Sequence, residues 1–301
     1  MDRVRQARSA RRTHRPFTLV LAGGGARGLA HAGVLCALDH YGFRPTFIVG
    51  ISMGAIIGAA YALNTNWYKA VLETKLPRLP AFLKAETFLG RMQRVAVSEV
   101  ALHRLAFGWG LAPAMVEKFR TILRELVLGR SLEEGATRLS VIAADLISGT
   151  SVELSHGDAS EAVYASCALA GLLPPLQRKN LLLADGGYGD LAPVRKWARA
   201  NTNPMMVVDP DRYAQAWKPR NGFEAMDRAL NVCMQGHARR LFCDADLVLC
   251  PRFSLPVHPY EFRHRRLVIA AGVRVVRETI DRIRKLLVRR PGLENDAGDV
   301  R

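Results

Sequence analysis

The run "TFIVGISMGAIIGAAYAL", Thr46 to Leu63, decides how the rest of the chain is read. It is strongly apolar, yet Ser52 sits in it with Gly50 and Gly54 two residues to either side. Extended to Tyr68 it makes 23 residues without a charge, long enough to cross a bilayer as a helix. Gly50, Gly54 and Gly58 add the small-xxx-small spacing that suits helix pairing in lipid. The internal pattern favours two soluble elements instead. "TFIVG", rich in β-branched and aromatic residues after Pro45, reads as a strand. "ISMG" reads as a turn and "AIIGAAYALN" as a helix. Gly50-Ile51-Ser52-Met53-Gly54 is then a G-x-S-x-G between strand and helix, the setting of a nucleophile elbow. The glycines leave room for a sharp turn and a substrate, and the helix dipole favours negative charge developing at the serine.

Upstream, "FTLVLA" (17–22) reads as a buried strand that ends in "GGGARG", followed by the helix "LAHAGVLCALDHYG". Gly23, Gly25 and Gly28 match G-x-G-x-x-G, which raises a dinucleotide site. That reading needs an acid at the end of the next strand, about 20 residues on. The strand ends "VGIS" instead, so a dinucleotide is disfavoured. The other use of such a loop is to present N–H groups to an anion, here the oxyanion of a tetrahedral intermediate beside Ser52. Arg27 either adds positive charge there or ties the loop down.

Downstream, residues 65 to about 135 read as amphipathic helices with basic faces. They form either a helical layer over the sheet or a cap facing lipid. "RLSVIAADL" and "TSVELSHG" read as a strand pair. "SEAVYASCALAGLL" reads as a helix with Ser160 at its N-cap. "NLLLADGGYGD" reads as a strand entering a glycine turn. "PMMVVDP" and "ADLVLCP" are further strands around a helix from Phe223 to Phe242, and a last helix spans about 260–290. Alternating strands and helices predict an α/β fold, a mainly parallel sheet with helices on both faces and a helical cap insertion. One domain is expected over 17–290, with unstructured tails at 1–16 and 291–301.

The chain of 301 residues is 49% hydrophobic, a globular composition. Its net charge of +16 favours anionic partners. Part of it lies in the first 16 residues, which hold six Arg and no apolar h-region, so they are not a secretory signal. Five scattered Cys, without CxxC spacing, argue against a disulfide framework or zinc site and fit a reducing, cytoplasmic setting.

A serine nucleophile needs a base. His237, His258 and His264 follow it, but the elbow comes too early for an α/β-hydrolase order. Asp185, ending an apolar strand before Gly186 and Gly187, is the other candidate, although alone it reads as an Asp-Gly turn. The set "GGGARGLAHAGVL" (23–35), "GISMGAIIGA" (50–59), "ASCALAGLLPPL" (165–176) and "DGG" (185–187) resembles the patatin-like phospholipases, over about 19–198. That resemblance implies a three-layer α/β fold and lipid acyl hydrolysis by a Ser–Asp dyad. It implies Ser52 as nucleophile, Asp185 as base, and the loop Gly23, Gly24, Gly25, Ala26, Arg27 and Gly28 as oxyanion hole, with no metal or cofactor. Ala170, Leu173 and Asp190 depart from the family pattern near the site walls. The expected substrate is a phospholipid or lysophospholipid at an anionic membrane surface. The remaining alternatives are a His-dependent esterase or thioesterase, and a non-catalytic basic binder of lipid or nucleic acid. No nucleic-acid motif is visible.

Overall fold

The structure is a computed structural model and describes residues 14–74, 108, 113–189, 203–213, 218–219 and 222–288. The basic tail up to residue 13, residues 289–301, most of the expected cap (75–107 and 109–112) and Asp190 lie outside the described residues.

Apolar runs form the centre. Strands β1 (Thr18–Leu21) and β2 (Phe47–Ile51) are buried at every position. They pair in parallel, β1 with β7 (Met205–Val208) on its other edge, and β7 with β8 (Leu247–Leu249). β2 pairs in parallel with β3 (Arg138–Asp145). β4 (Ser151–Leu154), β5 (Leu176–Arg178) and β6 (Leu181–Asp185) are antiparallel additions, giving a mixed, mainly parallel eight-stranded sheet. Continuous apolar strands of this kind need cover on both faces. Leu19, Leu21 and Ile48 point into the larger core, under α1 (Ala30–His40), α2 (Met53–Leu63), α5 (Ala159–Cys167) and α7 (Arg265–Leu287). Val20, Val49, Ile51 and Ile142 face a smaller cluster closed by Phe242, with Ala238 of α6 (Gly222–Leu241) against it.

The charge-free run is therefore not a span. It splits at Ser52 into β2 and α2, and no helix among the described residues is long and apolar enough to cross a membrane. Of the expected cap, α3 (Trp67–Glu73) and α4 (Pro113–Leu126) are described. Val116, Leu123 and Leu126 of α4 are buried in the main core, so its apolar stripe covers the body rather than facing outward. His14 and Arg15, read as tail, belong to the body. His14 bridges to Val288, and the Arg15 N–H donates to the Leu287 carbonyl at 2.7 Å.

Two helix ends differ from their sequence reading. Asp158, not Ser160, caps α5. Its carboxylate accepts from the N–H groups of Ser160 and Glu161, and a charged acceptor placed two residues earlier outcompetes a hydroxyl. The helix also stops at Cys167 instead of running on through "ALAGLL".

Helices α1 and α7 cross at backbone distance. A Cβ on Gly33 would lie 1.9 Å from the Ile269 carbonyl oxygen, and one on Gly272 would lie 2.0 Å from that of Ala30. Only glycine at both positions allows this approach.

Candidate active site

Sheet register brings the two key residues together. Val141 and Ile142 of β3 pair with β2 on one edge and β4 on the other, while Ala143 and Ala144 pair with β6 and β4. A strand has two edges, so β6 occupies the edge of β3 that β2 has just left. β2 runs up that edge to Ile51, opposite Ile142. β6 runs down it to Asp185, opposite Ala143. The carboxyl ends of the two strands meet head to head, and Ser52 and Asp185 stand at the junction.

Ser52 has φ 53° and ψ −122°, a left-handed turn that few L-residues adopt. Space for it comes from its neighbours. A Cβ on Gly50 would lie 2.5 Å from the Ala55 Cα, and one on Gly54 would lie 2.0 Å from the Leu21 carbonyl oxygen. Ile51 is buried in the smaller core, and Met53 in the larger one against Gly28. The Ser52 hydroxyl donates to Asp185 Oδ2 at 2.7 Å. The other carboxylate oxygen accepts the Gly187 N–H at 2.8 Å. Asp185 is fully buried, and burial pushes its pKa up to about 6, against the opposing pull of the Ser52 and Gly187 bonds. Gly186 lies on the Ile142 carbonyl with no room for a side chain. Cys167 is buried nearby. Desolvation, reinforced by the Asp185 charge, raises its thiol well above its ordinary value, so it stays neutral.

The glycine loop closes over the same place. Gly23, Gly24 and Gly25 line a cavity of about 130 Å³ with Ile51, Ser52, Asp185 and Gly187. The Ala26 N–H donates to the Pro259 carbonyl at 2.6 Å and the Arg27 N–H to that of Gly24 at 3.1 Å. Arg27 is buried rather than aimed into the cavity, and its Nε lies 2.7 Å from Asp211 Oδ1. Of its two expected roles, tying the loop down is the one the geometry supports. The apolar wall comes from Leu169, Ala170 and Leu172 after α5, and from Met226, Leu230 and Met234, one face of α6.

None of the candidate histidines bonds Ser52. His237 lines the cavity from α6, the His258 ring lies tilted against Tyr260, and His264 accepts from Arg263 Nε. The Ser52 hydroxyl is turned to Asp185 and to none of these. Among the described residues, no group of three or more His, Cys, Asp or Glu is placed to hold a metal ion.

A patatin-like phospholipase family model matches residues 19–196, more than half of the chain. The chain belongs to that family. An uncharacterized NTE family protein of Mycobacterium bovis is 29% identical over 211 residues, which is 68% of this chain and 51% of the relative. This patatin-like chain thus spans about half the length of that relative. Lysophospholipase NTE1 of Candida glabrata is 31% identical over 192 residues, 64% of this chain and 10% of that protein. The crystal structure of VipD from Legionella pneumophila superposes with a TM-score of 0.44 at 14% identity, covering 89% of this chain and 67% of that one.

Three features of this patatin-like site escape a sequence reading. His31 is fully buried in α1 and bonds the Ala22 carbonyl through Nε2 at 2.7 Å, just before the glycine loop. Burial lowers its pKa to about 4, so the ring is neutral at physiological pH and Nε2 carries the proton it donates. Its "GLAHAGV" setting gives only a lone histidine on an apolar helix face. Asp211, the partner of Arg27, follows a strand far along the chain. Ser166 accepts the Ser52 N–H at 2.8 Å; it lies in the "ASCALAGLLPPL" block, but nothing in that block ties it to the serine 114 positions earlier.

Proposed function

We propose that the protein hydrolyses fatty-acyl esters of phospholipids or lysophospholipids through Ser52 and Asp185. The observation that carries this reading is the Ser52 hydroxyl donating to a fully buried carboxylate on the wall of a cavity roofed by the glycine loop. Asp185 takes the hydroxyl proton while Ser52 Oγ attacks the ester carbonyl carbon. The carbonyl oxygen becomes an oxyanion. The Ala26 and Arg27 amides are already bonded, which leaves the cavity-lining Gly23–Gly25 stretch to supply its donors. Collapse of the tetrahedral intermediate expels the alcohol, which takes the proton from Asp185. The carboxylate then activates water, and the second half runs in reverse to release the fatty acid. A base with a pKa near 6 is ionised at neutral pH yet still basic enough to share a proton.

The membrane contact we propose is at α6. Met226 and Leu230, which line the cavity, are about half exposed, as is Val232, with Arg228, Arg239 and Arg240 on the same helix. Apolar side chains among arginines suit an anionic lipid surface.

Ser52→Ala and Asp185→Asn should each abolish hydrolysis of a chromogenic acyl ester in protein that remains folded by circular dichroism. Full activity in either variant overturns the reading.

A further inference from the structure

The block "ASCALAGLL" has no part in the chemistry above, yet its first residues touch both reacting groups. We infer that Ser166 is a positioning residue: its hydroxyl, held between the Ile142 carbonyl and the Ser52 amide, fixes the nucleophile relative to Asp185. The inference rests on the Ser52–Asp185 reading.

β2 and β6 meet end to end, so no ladder bond joins them to each other. Ser52 has also left the ladder in its left-handed turn, and its N–H needs a partner inside the protein. The end of α5 supplies both connections. Ser166 Oγ accepts the Ser52 N–H at 2.8 Å, and two residues on the Ala168 carbonyl accepts the Asp185 N–H at 3.0 Å. The early end of α5 at Cys167 is what frees the Ala168 carbonyl for this.

Ser166 has no rotational freedom in this role. It is fully buried and donates its one proton to the Ile142 carbonyl at 2.6 Å. A carbonyl only accepts and an amide only donates, so the remaining lone pairs face Ser52. Ile142 is itself the reference point of the junction. It is the last partner of β2, its neighbour Ala143 is the first residue that β6 pairs, and Gly186 packs on its carbonyl. Through Ser166, the amide of the nucleophile is therefore fastened to the peptide on which the base also rests.

The test compares Ser166→Ala, Ser166→Cys and Ser160→Ala. Ser160 is a buried serine in the first turn of the same helix, bonded to Asp158 and remote from the junction. On a water-soluble acyl ester, Ser166→Ala should lose about 10- to 100-fold in kcat with KM changed less than about threefold, the range for a misplaced catalytic group. Its acidic limb in kcat/KM should move to higher pH, because the Ser52 bond that helps hold the Asp185 carboxylate ionised is loosened. Ser166→Cys, which keeps a weak donor and acceptor, should recover part of kcat. Ser160→Ala should lose stability with kcat unchanged. If Ser166→Ala is not folded by circular dichroism, Ser166→Cys is read in its place, with an intermediate kcat and a moved limb expected. An unmoved limb, a kcat within about twofold of wild type, or equal losses in Ser166→Ala and Ser160→Ala would overturn the inference. Activity surviving in Ser52→Ala would instead overturn the dyad reading itself, whatever Ser166 does.

Discussion

Asp185→Asn should make the protein more stable at neutral pH while making it inactive. The substitution removes a charge from a fully buried position and keeps the shape. The Asn carbonyl can still accept the Gly187 N–H, and its amide can donate to Ser52. Raising a carboxyl from its ordinary 3.8 to about 6 disfavours the charged form by about 3 kcal/mol. The sign follows from proton binding. Between these two values the native state holds the proton more tightly than the unfolded chain, so stability falls as pH rises. The wild-type penalty should be about 0.5 kcal/mol at pH 4, about 1.5 at pH 5 and about 3 by pH 8. Asn does not titrate, so the gap between the variants should widen by about 2.5 kcal/mol from pH 4 to pH 8. Urea unfolding of both proteins at each pH measures the gap, and a constant offset between Asn and a neutral carboxyl cancels in the slope. A gap that stays flat or narrows over this range would show that Asp185 is not a raised carboxyl.

Three further outcomes are expected. In the wild type, kcat/KM should rise through an acidic limb with a midpoint of about 6, since the base must be ionised to take the serine proton; a midpoint near 4 in a pH–rate profile would contradict this. The His31 ring should stay neutral in an NMR titration down to about pH 4, and His31→Leu, which strips the buried Ala22 carbonyl of its donor, should cost about 1–3 kcal/mol in urea unfolding. Binding to anionic vesicles, followed by flotation, should weaken as salt rises and should drop in the double variant Met226→Ser, Leu230→Ser; salt-independent binding, or binding equal to wild type in that variant, would remove α6 from the contact.

Much of the site was legible because glycine punctuates it. A serine between two glycines at a strand-to-helix change, and an Asp-Gly-Gly after an apolar run, are local patterns with local causes. A mainly parallel sheet with helices on its faces also followed from alternating apolar runs and helices. What could not be read is what depends on register. No periodicity says that β6 takes over the edge of β3 vacated by β2, yet that event joins Ser52 to Asp185. The dual role open to Arg27 closed only when a strand far along the chain delivered Asp211 beside it. Helix ends failed for a related reason. Asp158 captured the cap expected of Ser160, and α5 stops at Cys167, where the Ala168 carbonyl accepts from Asp185 rather than from a further helical turn.

The crossing of α1 and α7 has a consequence in time. The glycine loop opens directly into α1, and its Ala26 amide is bonded to the Pro259 carbonyl. Gly33 of α1 presses against the Ile269 carbonyl of α7. A nascent chain that has emerged only through Asp185 holds the proposed nucleophile and base but not the backbone on which its loop rests. If the proposed hydrolysis is the protein's activity, it should therefore switch on late in synthesis, after the residues of α7 have left the ribosome. Until then a growing chain close to a membrane carries its serine without the means to use it.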